Sequence, residues 1–306
     1  MNIVVFGAGA VGGYFGGKLA LKGYPVNFLV REKRYEQLKA RGLKVESFYG
    51  DFTIEPRVVL HTEEIESPDL VIVALKNYHV DQAMPQLEEL VNKGAKLLPL
   101  LNGMEHLDLF VSKFGKENVL GGICYVASTL NEHGDVVQTS QMQDIYFGPL
   151  SNAVDQTFLA EIKAIMKESS IHVTLTDSII AEMWKKYIFL TSLSGITTAT
   201  RQPIGIAIQD EVTYSFLYDL LTEIYEVAKA KDVPLAVNTV DTIASKLQNL
   251  PTDMTSSMHR DLQKGLRMEL DSLHGYLLKE AQKHQLNTPC LRAIYALLHP
   301  YKNGNI

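Results

Sequence analysis

The chain has 306 residues, a length that suits about two domains and needs neither disulfides nor metals to build a core. Hydrophobic residues make up 46% and charged residues 21%, an ordinary globular composition that excludes a disordered chain. Lys plus Arg is 29 against 35 Asp plus Glu, a net charge of −6 with no basic run, which argues against nucleic acid and anionic membrane as partners.

The first half alternates short apolar runs with helical patterns. Ile3-Val4-Val5-Phe6 reads as a strand buried on both faces and ends in glycine. A helix is predicted over 14–22 with Gly23 as its cap, a second strand over 26–30, and a polar helix over 32–41 that stops at Gly42. Leu70–Leu75 is another buried strand, followed by a helix to about Val91. Ala95–Leu101 is a further strand, ended by the turn pair Asn102-Gly103. This alternation predicts βαβ units and a doubly wound sheet. Beyond Gly115 the pattern predicts a hairpin, with strands over 119–130 and 136–138 around Glu132-His133-Gly134-Asp135. A third strand ends at Tyr146-Phe147-Gly148, then come a helix carrying Phe158, Ile162, Ile165 and Met166 and a strand over 171–175. From Asp177 onward only helices are predicted, over 181–198, 213–231, 235–247, 266–285 and 289–298. The expected organisation is an α/β dinucleotide-binding domain over 1–177 and an all-α domain over 178–306, with a cleft between them as the ligand site.

The two cysteines, Cys124 and Cys290, stand far apart, and no CxxC, HExxH or paired-histidine spacing occurs, so no metal site is expected. No apolar run reaches the ~18 residues of a membrane span. The first strand begins too early for a signal peptide, and the expected setting is the cytoplasm.

The segment Gly7-Ala8-Gly9-Ala10-Val11-Gly12 matches GxGxxG between a buried strand and a helix, the context that gives the pattern meaning. Gly7 would allow the tight turn, Gly9 the approach of a pyrophosphate, and Gly12 close packing of helix on strand. The N–H groups and positive dipole end of the helix would face that anion. The second strand runs into Arg31, with Lys33 and Arg34 close behind. A guanidinium at Arg31 suits the 2′-phosphate of NADP, whereas Glu32 beside it could instead accept from the 2′-hydroxyl of NAD; NADP is the expected cofactor. Lys33 and Arg34, taken singly, read as a solvated basic helix start.

These residues, together with Lys76 in VALKNYHVDQA, the LLNGMEH turn, EMWKKY with Lys186, and SSMHRDLQKGLRMELDSLHG with Ser257, Asp261 and Glu269, resemble the ketopantoate reductase (2-dehydropantoate 2-reductase) family over nearly the whole chain. The resemblance implies a Rossmann-like domain followed by a helical domain of the 6-phosphogluconate-dehydrogenase type. It also implies NADPH as cofactor and a small 2-oxo acid, ketopantoate, as the substrate reduced to pantoate for pantothenate and coenzyme A synthesis. By position Lys186 is the general acid, and burial among Trp184, Tyr187, Ile188 and Phe189 would lower its pKa. Lys185 reads as a surface lysine. Glu269 corresponds to the acidic residue that contacts cofactor or substrate and orients the site. Ser257 would bind the substrate, unless Thr255-Ser256-Ser257 serves only to cap a helix. Asn102 would touch cofactor and substrate, Lys76 the nicotinamide ribose, and His79 reads as structural or rim.

The chain departs from the family at three positions. Well-studied members carry asparagines one and two helical turns after the lysine, where Leu190 and Ser194 stand here, and a further asparagine is replaced by Ile204. Ser194 is retained as a candidate substrate contact. Arg201 is either a carboxylate clamp or a helix C-terminal cation. A reductase of a more apolar oxo acid and a non-catalytic NADP sensor are the alternatives. The wide apolar stripe of Phe216, Leu217, Leu220, Leu221, Ile224 and Val227 fits either a core helix or the face of a homodimer.

Overall fold

The computed structural model describes residues 1–304, which form two compact units. The first comprises Met1–Leu101 and His106–Ile179; the second comprises Asn102–Glu105 and the chain from Ile180 onward.

The first unit runs β1 (Ile3–Phe6), α1 (Ala10–Leu21), β2 (Val26–Leu29), α2 (Glu32–Arg41), β3 (Leu43–Glu46), β4 (Phe52–Ile54), β5 (Arg57–Val59), β6 (Leu70–Val73), α3 (Val80–Asn92) and β7 (Lys96–Pro99). α4 (Glu105–Phe114) begins at the boundary between the units, and β8 (Leu120–Leu130), β9 (Val136–Pro149), α5 (Gln156–Glu168) and β10 (His172–Leu175) follow. One sheet has five parallel strands in the order β5-β2-β1-β6-β7. Every residue of β1, β2 and β6 is buried, which is why these strands read as unbroken apolar runs instead of alternating ones. The chain winds outward from β1 to β2 and β5, then returns to β1's other side for β6 and β7. The carboxyl ends of β1 and β6 therefore form the topological switch point, where ligands of such sheets bind.

The second sheet has the order β10-β9-β3-β4, with β8 also paired to β9. Here the structure corrects the sequence reading. Residues 136–138 and the strand ending at Gly148 are one strand, β9, paired with β8 from Val136 to Pro149 across a bulge at Val126/Ser128. Between Gln138 and Gln143 the strand bulges out of the β8 register, and side chains satisfy part of its backbone: Met142 N donates to Ser140 Oγ at 3.3 Å, Met142 O accepts from Gln138 Nε2 at 3.0 Å, and Gln141 O accepts from the Tyr49 hydroxyl at 2.6 Å. Ile3, Val5, Phe15, Leu19, Phe28, Ile72 and Leu98 form one core with Leu159, Ile162 and Met166 of α5. One cation is buried beside it. Lys18 on α1 donates to Gln143 Oε1 at 2.7 Å, lies 5.6 and 5.2 Å from the Tyr14 and Tyr49 ring centroids, and is held below its ordinary pKa by burial.

The second unit contains α6 (Ile179–Thr200, whose first residue still belongs to the first unit), α7 (Ile204–Gln209), α8 (Glu211–Ala230), α9 (Thr239–Gln248), α10 (Ser257–Gln263), α11 (Tyr276–Lys283) and α12 (Pro289–Leu298). Among the described residues no strand follows Leu175. α8 packs against α7, α9, α11 and α12 and buries Leu217, Leu220, Leu221, Ile224 and Val227, so these five stripe residues are core, while Phe216 is half-buried. From α8, Glu223 accepts the N–H groups of Cys290 and Leu291, both at 2.8 Å, and so caps α12. Burial and that carboxylate push the Cys290 thiol up to about 12. Neither cysteine is in a disulfide.

Two helices start later than expected. The helix expected from Leu235 begins at Thr239, after a turn closed by Thr239 Oγ1 donating to Ala236 O at 2.6 Å. The helix expected over 266–285 begins at Leu270 and passes through a π-helical turn, Asp271–Gly275, into α11. Gly265 turns the chain at φ +61°, and Met268 N donates to Lys302 O at 2.9 Å, so this stretch is held outside any helix.

His274 in the π-helical turn is fully buried, with its Nε2 2.8 Å from the point where a Cβ on Gly195 would lie. The Thr191 backbone favours the charged ring somewhat, yet neither nitrogen makes a well-formed hydrogen bond, and burial lowers its pKa to about 4. The folded value lies below the unfolded one, so the fold favours the neutral ring. Its contribution is complete above about pH 6.5 and is lost as pH falls toward 4, amounting to about 2 kcal/mol by pH 5. Urea titrations at pH 7 and pH 5 are expected to show this loss, and His274→Gln to flatten it.

Candidate active site

In the first unit, the turn from β1 to α1 occupies the switch point. Gly7 sits at φ +97°, and a Cβ there would lie 2.8 Å from Ala74 O at the end of β6. A Cβ on Gly12 would lie 2.0 Å from Gly7 O, so only glycine lets the helix close on the turn. A Cβ on Gly9 would meet nothing within 4 Å, so the turn is open on that side. Gly9 is the N-cap of α1, no side chain caps the helix, and its first turn carries no acidic residue. Uncapped N–H groups at an open helix start fit the pyrophosphate of a dinucleotide. Ala8 is buried, and Ala10 and Val11 begin the helix.

Arg31 is the exposed N-cap residue of α2, with Nη2 3.3 Å from His79 Nε2. Lys76 lies half-buried three residues past the end of β6, capping the single turn Asn77–His79. Arg34 is not a solvated helix-start residue. It is half-buried, its Nε donates to Ala8 O at 2.8 Å, and burial lowers its pKa.

In the second unit, Lys186 on α6 donates to Asn102 Oδ1 at 3.2 Å. Asn102 opens a turn in which Gly103 takes φ +85°, and a Cβ on Gly103 would lie 3.2 Å from Ser272 O. Lys186 is half-buried beside buried Trp184, Tyr187 and Ile188, whereas Lys185 faces outward and pairs with Glu182 at 2.8 Å. Glu269 is buried immediately before the π-helical segment, and its backbone carbonyl accepts from Leu273 N at 3.0 Å and Ser272 Oγ at 3.1 Å. The Tyr187 hydroxyl donates to Leu273 O and lies 3.3 Å from Ser272 O. A π-helical turn displaces carbonyls from their usual i+4 donors, and Tyr187 supplies a replacement from the residue next to Lys186. Sequence reasoning missed this link; a tyrosine after EMWKK gives no periodic signal of its own.

Leu190, Ser194 and Thr197 follow Lys186 along one face of α6. Ser194 is fully buried, and its Oγ has no protein partner. Ser256, not Ser257, caps α10: its Oγ accepts from His259 N at 3.0 Å and lies 3.3 Å from Thr197 Oγ1. Ser257 is therefore half-buried with no role in the cap. Ile204 is fully buried as the first residue of α7, so it is core. Arg201 takes φ +56° just past α6, exposed, with its guanidinium 5.3 Å from the Tyr301 ring centroid. Among the described residues no group of three or more His, Cys, Asp or Glu side chains could hold a metal, and no helix is long and apolar enough to cross a membrane.

A glycine-rich turn at the switch point of a parallel sheet marks the first unit as one of the dinucleotide-binding class. The family model for ketopantoate reductase PanE/ApbA matches residues 3–152, and that for its C-terminal domain matches residues 178–302. The chain belongs to the ketopantoate reductase family. It is 33% identical to an uncharacterized oxidoreductase of Bacillus subtilis, over 99% of both chains. A crystal structure of 2-dehydropantoate 2-reductase from Geobacter metallireducens is 26% identical, with a TM-score of 0.88 over 98% of this chain and 99% of that one. A D-mandelate dehydrogenase solved with NADH and anilino(oxo)acetate shares the fold at 22% identity and a TM-score of 0.87, over 99% and 98%.

Tyr187→Phe keeps the ring packed on Trp184 and Tyr276, at 5.4 and 6.3 Å, and removes only the hydroxyl. Leaving buried carbonyls without that donor is expected to cost about 1–3 kcal/mol, read as a lower denaturant midpoint at unchanged m-value.

Proposed function

We propose that this chain uses NADPH to reduce a small 2-oxo acid to the hydroxy acid, with 2-dehydropantoate (ketopantoate) as the leading substrate. The observation that carries this reading is the Lys186–Asn102 hydrogen bond at 3.2 Å, which holds an ammonium in a fixed place beside buried aromatic residues. When bound, the reduced nicotinamide supplies the hydride. Charge then builds on the substrate oxygen, and Lys186 stabilises it and donates the proton. Asn102 fixes the direction of the ammonium and contacts cofactor and substrate. Glu269, buried beside the turn that Tyr187 clamps, orients the site and contacts the cofactor. Ser257, relieved of capping by Ser256, and Ser194, with its unpartnered hydroxyl, bind the polar groups of the substrate. Gly7 through Gly12 hold the pyrophosphate, Arg31 the 2′-phosphate, and Lys76 the nicotinamide ribose. A reducing, cytoplasmic setting suits this chemistry.

Leu190 supports a second reading. It lies half-buried one turn beyond Lys186 on the same face, where it offers a substrate no hydrogen bond. A site that lacks such partners discriminates weakly for hydroxyl groups and accepts an apolar side chain. The substrate panel therefore includes aliphatic and aryl 2-oxo acids, the latter because the D-mandelate dehydrogenase of this fold was solved with an aryl oxo-acid compound.

Loss of NADPH absorbance with ketopantoate, compared with that panel, decides the substrate by kcat/KM. Lys186→Ala is expected to lower kcat by about 10²- to 10⁴-fold while NADPH affinity stays within a few-fold. Turnover retained in that variant overturns the role of Lys186. Tight NADPH binding with no turnover on any oxo acid makes the chain a sensor.

A further inference from the structure

The face of α2 formed by Arg34, Gln37 and Arg41 holds the tip of the β8–β9 hairpin. Arg34 Nη1 donates to Gly134 O at 2.7 Å and to Gln37 Oε1 at 2.7 Å. Gln37 donates to His133 O, and Arg41 pairs with Asp135 at 3.4 Å. The tip itself is fixed by Asn131 Oδ1, which accepts from His133 N at 3.0 Å and Asp135 N at 2.9 Å. Of these α2 residues, Arg34 alone also reaches the glycine-rich turn, through Nε to Ala8 O at 2.8 Å. Its Nη2 is buried without a partner, so the guanidinium is committed to the protein interior.

The bond to Ala8 O has a geometric consequence. The Ala8–Gly9 peptide is planar and trans, so its carbonyl and the Gly9 N–H point in opposite directions. Fixing the carbonyl toward Arg34 fixes that N–H on the other side of the plane, at the residue whose surroundings are open. An anion-binding turn works only if its N–H groups are already aimed, because reorienting a peptide on binding reduces affinity.

We propose that Arg34 is a positioning residue for the dinucleotide: anchored by the 131–135 hairpin tip, it locks the Ala8–Gly9 peptide so that the turn is preorganised for the pyrophosphate. This rests on the reading that the turn binds a dinucleotide. Arg34 and Arg31 then divide the work. Arg31 distinguishes NADPH from NADH, whereas Arg34 acts on the pyrophosphate that both share.

The test is fluorescence titration of the full-length protein with NADPH and, separately, NADH. Arg34→Gln is expected to weaken both about tenfold or more and to leave their ratio unchanged, with kcat at saturating NADPH within about twofold of wild type. Arg41→Ala removes a positive charge from the same helix without touching Ala8 and is expected to leave both affinities within about twofold. Arg34→Lys keeps the charge but cannot bridge Ala8 and Gly134 together, and is expected to weaken both cofactors as well. It gives the same reading if the glutamine variant does not fold. Unchanged affinities in both Arg34 variants overturn the proposal. Loss confined to NADPH also overturns it, by making Arg34 a reader of the 2′-phosphate. Failure of the wild-type protein to bind either cofactor overturns the dinucleotide reading, and this inference with it.

Discussion

The hydrogen bond from Lys186 to Asn102 is the constraint on which the helical unit is organised. It is one of the contacts that group Asn102–Glu105, just after β7, with the helical unit instead of the α/β one. The remaining contacts of this region follow from that placement. Gly103 adopts a left-handed conformation close to the Ser272 carbonyl, Tyr187 reaches the same carbonyl and its neighbour, and Glu105 pairs with Lys279 of α11 at 3.0 Å. A lysine on a long helix would otherwise sweep many rotamers; here an amide oxygen on a braced turn selects among them.

The α/β unit addresses a different problem, shaping an open turn between strand and helix from backbone alone. It does so with three glycines that serve three purposes: a left-handed turn at Gly7, open space at Gly9, and a contact at Gly12 too close for any side chain. The cations near the turn are deployed unequally. Arg31 stays at the surface, while Arg34 is drawn inward to carbonyl oxygens. Burying a guanidinium is costly, and here carbonyl oxygens offset the cost for Nε and Nη1 while Nη2 stays without a partner.

Much of this was legible in the sequence. β1, β2, β6 and β7 announced themselves as apolar runs, and the glycine turn was recognisable because strand and helix flanked it. The short strands β3, β4 and β5, and the helices α7 and α10, were invisible because three to seven residues are too few for periodicity to emerge. β9 was divided in two because half-exposed strand positions accept polar residues freely. Lys186, Asn102 and Glu269 were singled out through motifs, and the structure bonds the first two to each other, but the contacts that support them were not legible. Nothing local distinguishes Ser256 as the cap from Ser257 beside it, or Arg34 as an interior brace from a surface cation. Ser256 also meets Thr197, and Arg34 is held by Ala8 and Gly134, partners that are distant in sequence. Ile204 read as a substituted site position; burial makes it core.

The chain has a single tryptophan, Trp184, buried two residues before Lys186 and 5.4 Å from the Tyr187 ring. All indole emission therefore originates from one turn of one helix, in contact with the residue that clamps the π-helical segment after Glu269. The protein carries an intrinsic optical reporter beside Lys186. Indole emission also overlaps the absorption of reduced nicotinamide, so ligand occupancy and the packing of this turn are both open to spectroscopy on the unlabelled, unmodified chain.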